Sequence, residues 1–168
     1  PLRNEVREAL HASLDAPAAN ASSIHAEGRF ARALLEAARA NVATLVGATP
    51  REVVLTSGGS EAIAAAIRGV ADRAAPEKRR IVVSSIEHSA VLDNARALRA
   101  FGFEVAEVPC ASTGRIDAGT FAALLDGRTV LACLQAANNE TGVLQPVAEA
   151  GAACRVAGVL FLIDAVQA

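Results

Sequence analysis

A chain of 168 residues has room for one ordinary domain or most of one large one. Its 52% hydrophobic content allows a sizeable core, while 20% charged residues and a net charge of -2 leave no basic excess for a nucleic-acid backbone. Five Phe with no Trp or Tyr offer little to stack on bases, and three Cys at wide spacing form neither a disulfide framework nor a zinc pattern.

Apolar runs are too short and too interrupted to cross a membrane. The opening PLRNEVREAL is charged throughout and lacks the apolar centre of a secretory signal. A reducing, cytoplasmic setting is the expectation. In chain order, Phe30, Leu34, Leu35, Ala38, Val42 and Leu45 share one helical face, with Gly47 placed to end that helix. Val53, Val54 and Leu55 predict a short buried strand. Ser57-Gly58-Gly59-Ser60 predicts a turn, followed by a helix over 61–70. The polar stretch 71–80, with Pro76, predicts a surface loop, and 81–83 the next strand.

Val91, Leu92, Ala95, Leu98 and Phe101 predict another helix stopped by Gly102. Residues 103–108 predict a strand, 112–115 a turn, 118–125 a short helix and 129–134 a strand. A polar loop over 138–142 precedes a helix with Pro146 in its first turn, running to about Ala157 with Gly158 after it. The last strand covers 159–163, with Asp164 at its end. About five strands separated by helices predict an α/β fold with a mainly parallel sheet and flanking helices. The expected division is a helical segment over 1–46 and an α/β domain over 47–168.

In open parallel sheets, ligands bind outside the carboxyl ends of the strands. Polar residues fall there after four of the strand candidates. At Ser57-Gly58-Gly59-Ser60, two glycines and a helix start with unpartnered N–H groups suit a phosphate, although a plain turn with Ser60 as N-cap fits equally well. His88, beside Glu87, could stack on a flat heteroaromatic ring and exchange protons, or simply open a helix. His11 and His25 are weaker candidates. An amide in Asn138-Asn139-Glu140-Thr141-Gly142 could donate to a phenolate or carboxylate, or build an Asx-turn. Asp164 at the end of an apolar strand calls for a cation such as a protonated pyridine nitrogen, or for helix capping. Gln167, three residues on, could reach the same ligand or simply be solvated. Ser60, His88 and Asp164 could be drawn as a hydrolytic triad, but there is no G-x-S-x-G elbow. The histidines and cysteines are too scattered for a metal site.

Taken in order, these segments resemble one family. Asn20-Ala21-Ser22-Ser23-Ile24-His25-Ala26-Glu27-Gly28-Arg29 is similar to the N-P-S-S-x-H-x-x-G-R segment of cysteine desulfurases. Thr56-Ser57-Gly58-Gly59-Ser60-Glu61-Ala62 resembles their phosphate-binding turn, and Glu87-His88-Ser89-Ala90-Val91 their E-H-x-A-V stretch. Residues 137–146 resemble A-N-N-E-x-G-x-x-Q-P, and Asp164-Ala165-Val166-Gln167-Ala168 matches D-A-V-Q-A. The resemblance implies the large domain of a fold-type I pyridoxal 5'-phosphate (PLP) enzyme, a homodimer, L-cysteine as substrate and a sulfur-acceptor protein as partner. It implies Gly59 and Ser60 on the PLP phosphate and His88 on the ring, assisting proton transfer. It also implies Asn139 at the ring oxygen and near the substrate carboxylate, Asp164 at the ring nitrogen and Gln167 at the phenolic oxygen.

The family's Schiff-base lysine falls past the last motif, and its persulfide cysteine later still. Lys78, the only lysine, and Cys110, Cys133 and Cys154 match neither. The expectation is therefore a fragment without desulfurase turnover of its own. The alternatives are a related PLP enzyme such as a selenocysteine lyase or aminotransferase, a non-catalytic scaffold remnant, or an unrelated nucleotide-binding domain. G-x-G-x-x-G and Gly-Lys-Ser/Thr, which the last would need, are absent.

Overall fold

The computed structural model describes residues 2–16 and 19–168. It forms two compact units, Pro1–Leu55 and Thr56–Ala168. The first unit holds helices α1 (Asn4–Leu14) and α2 (Ala26–Val46). The run from Asn20 to Arg29 is a clasp that starts α2. Asn20 Oδ1 accepts from the Ser22 amide at 2.8 Å, His25 Nδ1 accepts from the Gly28 amide at 3.3 Å, and Arg32 Nε donates to the Ala21 carbonyl at 3.0 Å. Gly28 is required because a β-carbon there would stand 2.4 Å from the Ser23 carbonyl oxygen. His25 is thus a helix cap, and the same Nδ1 lies 2.9 Å from Glu27 Oε2, to which it can donate only in the tautomer that releases the Gly28 amide.

The strand expected at Val53, Val54 and Leu55 does not form. One 3-10 turn, Pro50–Glu52, leads into an extended segment with no strand beside it among the described residues, and Val54 is 78% exposed. Two β-branched valines favour extended backbone, but a strand also needs a ladder partner. The stripe on α2 forms on the surface, with Phe30, Leu34, Leu35, Val42 and Leu45 all exposed.

The second unit is a four-stranded parallel sheet, β1 (Arg80–Ser84), β2 (Glu104–Val108), β3 (Thr129–Gln135) and β4 (Leu160–Asp164), in the order β2-β1-β3-β4. Helices α3 (Gly59–Asp72) and α4 (Ser89–Ala97) cover one face, and α5 (Ala118–Ala123) and α6 (Val147–Ala157) the other. Strand alternation divides the core. Ile81, Val83, Leu131 and Cys133 pack with Ile63, Ile67, Val91 and Ala95, whereas Val82, Ala132 and Leu134 pack with Phe121, Ala150 and Cys154. Each fully buried Ile or Phe contributes about 1.5–3 kcal/mol.

Strand order reverses between β1 and β3. The chain leaves β1 through α4 towards β2 on one face, and leaves β3 through α6 towards β4 on the other. The loops after β1 and β3 therefore part and open a crevice at the carboxyl rim, which is where open α/β sheets take ligands.

Candidate functional site

A cleft of about 190 Å³ lies at this rim, lined by Gly59, Ser60, His88, Asn139, Asp164 and Gln167 together with Ile63, Gln135, Ala137 and Val166. All six sequence-derived site residues line it. His11 and His25 belong to the other unit.

One end of the cleft is built by the start of α3. Gly58, not Ser60, is the N-cap, so Ser60 sits inside the first turn with no capping bond. The first intrahelical bond runs from the Ala62 amide to the Gly58 carbonyl at 3.1 Å, which leaves the amides of Gly59, Ser60 and Glu61 without an intrahelical partner. Glu61 reaches back to accept from the Ser57 amide at 2.6 Å, and Thr56 Oγ1 donates to the Gly58 carbonyl at 3.1 Å, so the turn is held from both sides. Bonds from Ser57 keep the Glu61 carboxyl below its ordinary range.

His88 is the N-cap of α4, and its Nδ1 accepts from the Ala90 amide at 3.1 Å. Capping and cleft-lining are therefore joined in one residue. With Nδ1 accepting, a neutral ring carries its proton on Nε2. No triad hydrogen bond joins Ser60, His88 and Asp164 among the described residues.

The two asparagines divide their labour. Asn138 builds the loop: its Oδ1 accepts from the amides of Glu140 (3.1 Å) and Thr141 (2.9 Å) and from Thr141 Oγ1 (3.0 Å), while its Nδ2 donates to the Ile86 carbonyl at 3.3 Å. Asn139 is left exposed at the cleft.

Asp164 pairs in register with Gln135, and its Oδ1 accepts from the Val166 amide at 3.1 Å. It is half-buried, and no ion pair reaches it among the described residues. Unpartnered amides at a helix start, a half-buried carboxylate, an imidazole and an exposed amide line one cleft. It fits a flat ligand that carries an anionic arm and a protonated ring atom.

Glu87, which the sequence presents only as the neighbour of His88, is a further candidate. It is buried, and burial raises its carboxyl above the ordinary range against the lowering effect of bonds from Ser84 and Gln135; Asp164 adds to the rise. A carboxylate placed straight after an apolar strand was its sequence signal.

Lys78 lies in the turn before β1, at the opposite rim of the sheet. Cys133 on β3 and Cys154 on α6 are buried, and burial pushes both thiols up, Cys154 to about 11.

The family model Aminotransferase class-V matches residues 1–168. The chain belongs to the class-V aminotransferase family. It is 44% identical over 147 residues to the cysteine desulfurase IscS of Anaeromyxobacter sp. (strain Fw109-5), covering 88% of this chain and 36% of that relative. A solved NifS-like protein superposes with a TM-score of 0.93 at 33% identity, over 99% of this chain and 46% of that one. SspA in complex with cysteine superposes with a TM-score of 0.92 at 32% identity, over 100% and 48%. The chain thus spans about a third of the length of the curated relatives it matches.

Proposed function

We propose that this chain forms the cofactor cradle of a PLP-dependent cysteine desulfurase. The reaction moves sulfur from L-cysteine to an enzyme thiol. The cysteine C–S bond breaks, an S–S bond forms, and the products are L-alanine and a persulfide, with no outside oxidant or reductant. The observation that supports this most is the meeting of Gly59, Ser60, His88, Asn139, Asp164 and Gln167 at one cleft. The desulfurase names of its relatives, and cysteine in the SspA complex, point the same way.

Bound PLP supplies an electron sink for an attached amino acid. Gly59 and Ser60 hold its phosphate through first-turn amides and the Ser60 hydroxyl. Asp164 holds the ring nitrogen protonated. Gln167 and Asn139 donate to the phenolic oxygen, and Asn139 also orients the substrate carboxylate. His88, which lines the cleft with Nδ1 tied to the Ala90 amide, would face the ring and move a proton through Nε2. The anchoring lysine and the sulfur-accepting thiol are assigned to no residue of this chain. Lys78 is on the wrong rim, and Cys133 and Cys154 are kept protonated by burial.

A homodimer is part of this reading. It is supported by the apolar surface of the first unit, where Leu10, Leu14, Phe30, Leu34 and Leu45 lie exposed. No helix is long and apolar enough to cross a membrane among the described residues, and a cytoplasmic location with a sulfur-acceptor protein completes the reading.

The test uses the whole native protein. It is expected to take up PLP as a yellow, borohydride-fixable adduct and to release alanine from L-cysteine. Asp164→Ala is expected to lower both by about tenfold or more, the scale of a lost charge-assisted bond. Failure to take up PLP overturns the proposal. A polypeptide of these 168 residues alone is expected to release no alanine above the rate with free PLP.

A further inference from the structure

The roles above leave one buried acid without a task. Glu87 is 5% exposed. Its Oε1 accepts from Ser84 Oγ at the end of β1 and from the Gln135 amide, at 2.8 Å, at the end of β3. Its Oε2 is buried without a partner. The neighbouring Ile86 carbonyl accepts from Gln135 Nε2 at 2.5 Å and from Asn138 Nδ2 at 3.3 Å. The segment just before His88 is therefore fastened to the end of β3 through a carboxyl and a carbonyl.

We propose that Glu87 is a positioning residue that fixes the loop carrying His88 against the end of β3 and so sets where the imidazole stands in the cleft. Packing alone does not explain a carboxyl here. An apolar side chain of that volume would fill the space without a bare oxygen. The titratable groups around it are Asp164 on β4, Cys133 on β3 and His88 itself. Burial favours the neutral acid, which spares Asp164 a second negative charge beside it. The consequence for catalysis rests on the proposed cofactor reading; the geometry does not.

The test compares Glu87→Asp, Glu87→Gln and Val130→Ala in the whole native protein. The aspartate is one methylene too short to reach both Ser84 and Gln135. The amide oxygen of the glutamine can still accept from both. Val130 lies at the other end of β3, so its truncation loosens the core without touching the loop. The readouts are the His88 ring signals by NMR without added ligand, assigned with His88→Asn, then the dissociation constant for PLP.

Glu87→Asp is expected to displace the His88 signals and weaken PLP about tenfold. Glu87→Gln is expected to restore both towards wild type, and Val130→Ala to lower thermal stability with the His88 signals unmoved. Wild-type His88 signals in Glu87→Asp, or equal displacement in Val130→Ala, overturn the proposal. If wild-type protein takes up no PLP, the cofactor reading fails, while the His88 signals still decide the role of Glu87.

Discussion

Val166 Cγ2 lies 2.7 Å from the point where a β-carbon on Gly59 would stand. The start of α3 and the segment after β4 are thus in contact through a missing side chain. Gly59→Ala must push Val166 aside and with it the stretch that carries Asp164 and Gln167. The expected outcome is PLP binding weakened about tenfold, with recovery in Gly59→Ala/Val166→Ala, where the clashing methyl is gone. Equal binding constants for the single and double variants would show that the contact does not govern the cleft.

Asn138 and Asn139 are adjacent but should fail differently. Asn138→Ala removes the acceptor for two amides and a hydroxyl, and the donor to Ile86. It is expected to lower unfolding stability by about 1–3 kcal/mol in urea titrations. Asn139→Ala, at an exposed position on the cleft, is expected to leave the urea midpoint in place and reduce affinity for PLP and L-cysteine. Reversal of that pattern would remove Asn139 from the site.

At the opposite rim, burial alone would raise Asp126, but bonds from Arg128, Thr129 and Arg80 outweigh it and bring the carboxyl down from 3.8 to about 2. Arg80 Nη1 stands 2.9 Å from Asp126 Oδ2, and Arg128 Nη2 3.0 Å from the same oxygen. A folded-state value below the unfolded one means that this stabilisation is present above 3.8 and is lost as pH falls towards about 2. Urea midpoints measured down through that window should fall more steeply in wild type than in Asp126→Asn. Parallel curves would exclude Asp126 as a source of acid sensitivity.

Thiol labelling should follow burial. With Cys154 at about 11 and Cys133 raised by burial inside β3, each is overwhelmingly thiol at pH 8, about one part in a thousand thiolate for Cys154. Cys110, half-buried after β2, is expected to alkylate first, with the other two reacting only on unfolding. Peptide mass spectrometry after timed iodoacetamide exposure gives the order. Early labelling of Cys133 or Cys154 would contradict their placement in the core.

Much of the fold was readable because hydrophobic period and helix-stop residues agreed. The segments for β1, β3 and β4 each carry an apolar run and β2 an interrupted one; the helices before Gly47 and Gly158 end where expected, while α4 stops at Ala97 and a 3-10 segment, Leu98–Phe101, carries the chain on to Gly102. Most of the cleft was readable because His88, Asn139, Asp164 and Gln167 follow those runs. Three features were not. Val53 to Leu55 has strand composition, but pairing is non-local and no local pattern reports it. Ser60 looks like the N-cap, yet the extended backbone of Gly58 takes that place and leaves the serine hydroxyl to the cleft. The grip of Glu87 on Gln135 crosses 48 positions of sequence, beyond the reach of any local reading.

The Ile86 carbonyl receives amides from Gln135 and Asn138, which are encoded about fifty positions later. Neither half of the cleft has its final form until β1 and β3 have found each other. Ligand capture should therefore come late in folding, after the slow search for a distant neighbour. Hydrogen exchange at residues 84–88 should then track opening of the central strand pair more closely than fraying of the surface loops.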